Sequence, residues 1–219
     1  MRSRLRITGT LAAIAVLTGG CGTADDWSTP HPAPTAVGVL APGFVTTSPT
    51  PEATITPSPG SWDGVRPPKG YRVVLLTAGD DQPTRTLVAA VTDWAGQEGV
   101  SLKTVNAPDS GRFTESIDEA LRLGPDLIIS TGKDLLDALA LVTASHLGRQ
   151  FLVLGAELAE PTANVTAANW PGASFRGEGL GTATGYDPAS FTPARAAAAV
   201  RAGVASVLSG LTGIVIRLP

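Results

Sequence analysis

Short apolar runs alternate with longer segments of helical periodicity from Tyr71 to the end of the chain. The runs are four to six residues long and mostly apolar, a pattern that predicts strands buried on both faces of a sheet. We predict strands at residues 72–76, 100–105, 125–129, 151–154, 165–168 and 213–216. Helical spacing predicts helices at 84–97, at 114–123, from Gly132 to Gly148, and at 193–208.

The alternation of strands and helices predicts the fold class. Buried strands that are separated by helices form a parallel sheet that is covered on both faces. Right-handed crossovers then give an open, doubly wound α/β sheet, a three-layer arrangement of the flavodoxin-like type. The roughly 150 residues from 70 to 219 are enough for one core, so we predict a single domain there.

Residues 21–69 have a different texture, rich in proline, threonine and serine. Proline removes backbone donors, and the small polar residues offer little to bury, so the segment is predicted to be a disordered tether. A flexible coil of this length averages about 40 Å from end to end, which would lift the domain clear of a membrane. Trp27, Trp62 and the apolar positions 37–40 and 44–45 have no role in this interpretation.

The first 20 residues predict export. Arg2, Arg4 and Arg6 precede an apolar run at 7–17, and small residues follow up to Cys21. A basic start and a short apolar core describe a signal peptide, and the cysteine directly after it resembles the lipidation site of bacterial lipoproteins. We therefore expect lipidated Cys21 to hold the protein on the extracytoplasmic face of the cell membrane without spanning it. The alternative is an ordinary cleaved signal with a free thiol.

Charge and composition exclude several classes of partner. The formal charge of −3 becomes −6 without residues 1–20, which hold three arginines and no acid. A mildly acidic chain argues against nucleic acid as a partner, and equally against a basic surface that binds anionic lipid. The single cysteine allows no internal disulfide.

Catalytic constellations are missing from the sequence of the predicted domain. His146 is its only histidine, so no Ser-His-Asp set, Cys-His pair or metal cluster can be assembled. The glycine-rich segment 177–181 lacks the Lys-Ser/Thr ending of a phosphate loop. We expect no enzyme activity, no cofactor and no metal.

Ligands of doubly wound sheets bind beyond the carboxyl ends of the strands, near the switch point between the first and third strands. Polar residues and one aromatic ring in the corresponding loops are the candidate ligand-binding residues, and Trp170 would offer a flat surface for stacking. They are Asp80, Asp81, Thr131, Gly132, Lys133, Glu157, Asn169 and Trp170. The alternative is structural, because such residues also cap helices. Asp80 or Asp81 would then cap the first helix, and Ser130 or Thr131 would cap the third.

The stretch 124–139 (GPDLIISTGKDLLDAL), with Phe-Leu-Val-Leu at 151–154, resembles the basic membrane protein family of substrate-binding lipoproteins. Residues 164–165 and 175–179 resemble the family more loosely. These lipoproteins belong to the type I periplasmic-binding-protein group, and several bind nucleosides for ABC importers. The resemblance implies a small polar solute as ligand and an ABC permease as partner.

Three ligand-contacting positions of that family are not matched in this chain. Ala78 stands where the family has an aspartate after the first strand, and residues 82–85 (QPTR) replace its Ser-Phe-Asn. Gly155 replaces the aspartate that ends the fourth strand, with Glu157 two residues further on. The family also closes two lobes over its ligand, whereas we expect only the N-terminal lobe here. Three alternatives follow for such a lobe: it binds its solute weakly, it pairs with a second chain that completes the cleft, or it no longer serves transport.

Two functional hypotheses follow from the sequence. The first is a membrane-anchored solute-binding lipoprotein of the basic membrane protein type, reduced to one lobe. The alternative is an envelope lipoprotein that uses the same fold as a protein-interaction or sensory-accessory module.

Overall fold

A computed structural model describes residues 26–29, 32–45, 47–158, 161–176 and 185–219. The predicted signal peptide, Cys21 and the glycine-rich segment 177–181 lie outside the described residues. None of the described helices is long and apolar enough to cross a membrane.

Seven of the described strands form one parallel sheet, in the order β1-β9-β7-β5-β4-β2-β3. The remaining two, β6 and β8, form a small parallel pair beside it. In chain order the strands are β1 Thr54–Ile55, β2 Arg72–Ala78, β3 Ser101–Ala107, β4 Leu127–Thr131, β5 Gln150–Leu154, β6 Ala156–Leu158, β7 Val165–Asn169, β8 Ser174–Arg176 and β9 Val215–Arg217. We call the end at which the parallel strands start the amino edge of the sheet, and the opposite end the carboxyl edge.

Helices cover both faces of the sheet, which confirms the predicted three-layer, doubly wound α/β class. They are α1 Gln82–Glu98, α2 Phe113–Arg122, α3 Leu136–Thr143 and α4 Pro193–Leu208. Helices α1 and α4 pack on one face, where Leu87 and Val200 meet the sheet. Helices α2 and α3 pack on the other face, with Ile117 and Leu139 in the second core. Successive side chains along a strand point to opposite faces of the sheet, so alternate residues of the central strands belong to the two cores.

The structure shifts the bounds of several predicted elements, among them β4, β9 and α3. Strand β4 starts at Leu127 rather than 125, because Asp126 is held by the backbone N–H of Arg72. Helix α3 ends at Thr143, whereas helical periodicity predicted an end near Gly148. The amide of Asn164 explains this early end, since it donates to the carbonyls of Thr143, His146 and Arg149 and holds the chain in turns.

The predicted tether is the main correction. The described part of that segment comprises Asp26–Thr29 and residues 32–45 and 47–69. The latter two ranges pack against the domain. Phe44 is 1% exposed and Trp62 6% exposed, both in the core under α1 and α4. Strand β1 extends the sheet by pairing with β9. The described part of this segment is therefore not a disordered tether: Phe44 and Trp62 are buried in the core, although the segment follows no helix or strand period.

Candidate functional site

A cleft of about 680 Å³ opens at the carboxyl edge of the sheet. Strand β2 lies between β3 and β4, so the chain leaves it toward β3 and then crosses back to β4. The loops after these strands diverge at this switch point and leave a crevice, as the rule for open α/β sheets predicts. The cleft is lined by Gly79, Ala107, Pro108, Asp109, Ser110, Phe113, Lys133, Asp134, Leu136, Ser174 and Tyr186.

Lys133 and Asp134 form an ion pair at the cleft, with 3.1 Å between Nζ and Oδ1. The hydrogen bond with Asp134 raises the pKa of Lys133, and partial burial opposes this only in part. Both side chains are about half exposed, so the pair adds little to stability and both groups remain accessible. The cleft thus holds a protonated ammonium group and a carboxylate within reach of solvent.

The backbone conformation of Gly132 determines how the chain enters the turn that carries Lys133 and Asp134. It has a φ of 93°, a conformation that L side chains rarely adopt. A Cβ atom here would also lie 2.7 Å from the carbonyl oxygen of Ala78 at the end of β2. Close approach of the two strand ends therefore requires glycine at this position. The cleft lining does not include Gly132, which shapes the turn before Lys133.

Asp109 and Phe113 lie on the part of the cleft that follows β3. The Asp109 carboxylate accepts from the backbone N–H of Gly111 at 3.0 Å, and it starts the single turn of 3₁₀ helix at Ser110–Arg112. Phe113 begins α2 and brings a half-buried aromatic ring to the cleft. This part of the cleft thus places the aromatic ring of Phe113 next to the carboxylate oxygens of Asp109.

Tyr186 is a cleft residue that the sequence interpretation missed. Its ring is 40% exposed and meets Phe191 edge to face, with 5.8 Å between the ring centroids. Partial burial raises the pKa of the Tyr186 hydroxyl; the carboxylates of Asp81 and Asp134 act in the same sense, and Lys133 opposes them. The one available signal was the rarity of the residue, since the chain has two tyrosines.

Asp80 and Asp81 follow β2 but do not line the cleft. The Asp81 carboxylate accepts from the backbone N–H of Thr84 at 2.8 Å and caps α1, so the structural alternative holds for this residue. Partial burial acts to raise the pKa of Asp81, but hydrogen bonds from Thr84 and the charges of Lys133 and Arg85 lower it overall. Asp80 is exposed beside it.

Thr131 is fully buried at the end of β4 and does not line the cleft. It pairs in register with Thr77 of β2, and within the described part of the chain neither hydroxyl has a hydrogen-bond partner. The same holds for the Ser130 hydroxyl. The suggestion that Ser130 or Thr131 caps the third helix is wrong, because the turn before α3 begins after Gly132 without a side-chain cap.

Glu157 and Asn169 form a buried pair away from the cleft. The Asn169 amide donates to Glu157 Oε2. Asn169 is 5% exposed and Glu157 is 9% exposed. Burial raises the pKa of the Glu157 carboxyl, and the Asn169 hydrogen bond and the charge of Arg217 offset this only in part. The pair joins β6 to β7, and the cleft lining includes neither residue.

Trp170 is a core residue, which overturns its predicted role as an exposed stacking surface. It is 2% exposed and meets Phe191 edge to face, with ring centroids 5.0 Å apart. Its indole N–H donates to Ser190 Oγ at 3.0 Å. The tight turn at Gly155 lies against the same ring, where a Cβ atom would come within 3.2 Å of Trp170. A buried indole with its donor satisfied is a packing element.

The cleft lining places an ammonium group, carboxylates and aromatic rings together at the carboxyl edge. Within the described ranges no three His, Cys, Asp or Glu side chains are placed to hold a metal ion. His146 precedes β5 at the amino edge, where its ring Nδ1 lies 3.0 Å from the carbonyl oxygen of Val142. Of the eight predicted ligand-binding residues, only Lys133 lines this cleft.

Comparisons with known proteins give a distant likeness of shape. No protein-family model matches the chain, and no curated protein matches it. An ABC transporter solute-binding protein from Aeropyrum pernix K1 is 19% identical at a TM-score of 0.42, over 46% of this chain and 29% of that one. A fragment from Peptoclostridium difficile 630, provisionally assigned as a lipoprotein, is 17% identical at a TM-score of 0.45. The match covers 63% of this chain and 98% of that fragment.

A third solved structure has a different kind of function. A transcriptional activator of the comK gene from Bacillus halodurans is 13% identical at a TM-score of 0.40, over 67% of this chain and 53% of that one. This chain therefore spans less than a third of the Aeropyrum protein and about half of the Bacillus protein. We draw no conclusion about function from likeness at this level.

Proposed function

We propose that the protein is a solute-binding lipoprotein of the basic membrane protein type, anchored through Cys21 on the extracytoplasmic face of the membrane. The observation that carries this proposal is the cleft of about 680 Å³ at the switch point of the sheet. Its position is the one at which doubly wound folds bind small ligands, and its volume suits a small organic molecule.

The chemistry of the lining favours a polar solute with a flat ring, such as a nucleoside. Asp109 and Asp134 offer carboxylate oxygens to the hydroxyl groups of a sugar, and Lys133 offers a donor. Tyr186 and Phe113 offer aromatic surface on which a planar base can stack. Of the predicted ligand-binding residues, the proposal retains Lys133 as a side-chain contact and Gly132 as a backbone support.

A one-lobed binding protein leaves its cleft open on one side. Binding sites for small ligands bury most of the ligand, so an open cleft alone would bind weakly. We therefore include in the proposal a second chain that closes over the carboxyl edge, or an ABC permease that receives the solute there. Asp80, which is exposed at this edge and lines no part of the cleft, would then face the partner.

The test is a thermal-shift panel that contains nucleosides, applied to residues 21–219. A solute present at about 100 times its Kd adds about 2.7 kcal/mol to the free energy of unfolding. For a domain of this size the melting temperature then rises by about 5–10 °C. Lys133→Ala and Asp109→Asn should abolish the rise, whereas Asp93→Asn, on an exposed part of α1, should keep it. A panel without any rise would contradict the proposal.

A groove on the outer surface favours the alternative, a protein-interaction module. It has a volume of about 620 Å³ and lies between α1 and α4, where alanine side chains and Trp94 are flanked by the charged Arg85, Asp93 and Arg201. An apolar groove between two helices suits an amphipathic helix of a partner protein. A photo-crosslinker at Ala197 that captures a specific envelope protein, together with a flat solute panel, would favour this function.

A further inference from the structure

Residues Asp26–Thr29 are fixed to the amino edge of the sheet. The buried guanidinium of Arg72 donates to the carbonyl oxygens of Thr29 at 2.8 Å and Asp26 at 3.0 Å. The indole N–H of Trp27 donates to Ser101 Oγ at 2.8 Å. Arg72 and Ser101 are the first residues of β2 and β3, so both contacts hold the segment where the strands start.

This attachment limits how far the domain can lie from Cys21. Asp26 lies five positions after Cys21, and a fully extended chain over that interval spans at most about 18 Å. Strand β2 alone is seven residues long, or about 23 Å. A lipid on Cys21 therefore holds the amino edge close to the membrane, and the cleft at the carboxyl edge faces away from it.

Exposed cations lie on the same edge. Lys69 and Arg149 occupy the loops before β2 and β5, and Arg122 is the last residue of α2, just before the loop to β4; all three are exposed. Among the residues that the structure describes, none forms an ion pair with these side chains. Leu147 lies two residues before Arg149 and is 60% exposed, which places an apolar side chain among the cations.

The acids of these loops are engaged within the protein. Asp126 Oδ2 accepts from the backbone N–H of Arg72 at 2.8 Å, and Asp26 Oδ1 accepts from that of Ser28 at 3.0 Å. Arg66 pairs with Glu98 beside them. The cations of this edge, Arg66, Lys69, Arg72, Arg122 and Arg149, outnumber the carboxylates of Asp26, Glu98 and Asp126. Its formal charge is therefore positive, although the chain as a whole is acidic.

The carboxyl edge has the opposite character. Its loops carry exposed carboxylates that an anionic membrane surface would repel. They are Asp80, Asp81, Asp109, Asp134 and Asp187. The two edges thus differ in charge, and a basic surface that could bind anionic lipid is present at the amino edge although the net charge of the chain is negative.

We propose that the amino edge, defined by Lys69, Arg122, Leu147 and Arg149, is a membrane-docking surface that binds the headgroups of anionic phospholipids. A second cleft, of about 630 Å³, opens on this edge between Arg122 and Arg149 and is large enough to receive a phosphate headgroup. The inference rests on the proposed anchor at Cys21, because the anchor brings this edge to the bilayer. Three cations near an anionic surface strengthen the docked state on the order of 100-fold.

The experiment couples residues 21–219 through Cys21, the only cysteine, to maleimide lipids in phosphatidylcholine vesicles, with or without phosphatidylglycerol. Amide hydrogen exchange is then compared between the two kinds of vesicle. Phosphatidylglycerol should slow exchange at 121–126 and 145–149, in the loops before β4 and β5, and leave 108–112 at the carboxyl edge unchanged. Equal exchange on both vesicles, or protection at 108–112 instead, would overturn the proposal.

Matched charge reversals test the surface itself. Arg122→Glu with Arg149→Glu should remove the protection, and Arg85→Glu with Arg112→Glu, the same change of charge at the carboxyl edge, should preserve it. The coupling is chemical, so its outcome does not depend on acylation in cells. A failed anchor would show in cell fractionation, whereas a failed docking surface would show in the exchange pattern.

Discussion

Trp170 and Phe191 meet edge to face under the carboxyl edge of the sheet, with 5.0 Å between their ring centroids. Because Trp170 is also 2% exposed, we expect Trp170→Ala to lower the free energy of unfolding by about 3–5 kcal/mol. Chemical denaturation measures this loss. Trp27→Ala, at a half-buried ring near the amino edge, should cost less. An equal loss in the two variants would contradict the assignment of Trp170 to the core.

Phe44 tests the correction to the predicted tether. If residues 32–45 pack as the structure describes, Phe44→Ala leaves a cavity under α1 and α4 and lowers the free energy of unfolding by about 3–5 kcal/mol. Val39→Ala is the control, because Val39 lies five residues away and is 79% exposed. Denaturation curves that coincide for Phe44→Ala and the unaltered chain would restore the disordered tether.

Glu157 gives the stability of the protein a specific pH dependence. Burial raises its pKa in the folded state above the ordinary value of 4.5, so the folded protein binds this proton more tightly than the unfolded chain. Its contribution is fully present below pH 4.5 and is lost as pH rises through the folded-state pKa. Glu157→Gln removes the titration, so the variant should gain stability relative to the unaltered chain as pH rises from 4 to 7. Parallel profiles of unfolding free energy against pH would contradict this account.

Cys21 tests the lipid anchor in cells. We expect the unaltered protein in the membrane fraction and Cys21→Ser in the soluble extracytoplasmic fraction, because the acyl chains supply the attachment. Labelling with a fatty-acid analogue should mark the unaltered chain and not the variant. A Cys21→Ser protein that stays at the membrane would contradict anchoring through this residue.

The sequence predicted the sheet well, and the reason is physical. Strands β2, β4 and β5 are central, so both their faces are buried and their residues are apolar almost without interruption. Strand β1 escaped detection because a pair of residues between prolines carries no period, and its place depends on contacts with β9 that are distant in sequence. The three-residue strands β6 and β8 are too short to show alternation.

The sequence predicted the location of the cleft, but only part of the set of residues that line it. The rule for switch points depends on strand order alone, so it located the cleft near Lys133. Side-chain direction cannot be derived from a loop's position, and here Trp170 turns inward while Tyr186, much later in the chain, comes to the cleft. Asp81 was ambiguous because the same carboxylate can cap a helix or contact a ligand, and its contact with Thr84 decides for the cap.

Isothermal titration calorimetry of residues 21–219 with nucleosides measures solute binding at the cleft directly. We expect saturable heat for at least one nucleoside, lost in Tyr186→Ala and in Lys133→Ala and retained in Trp27→Phe at the opposite edge. Saturable binding that survives both cleft substitutions, or no saturable binding to any nucleoside, would overturn the proposal that this cleft binds a nucleoside.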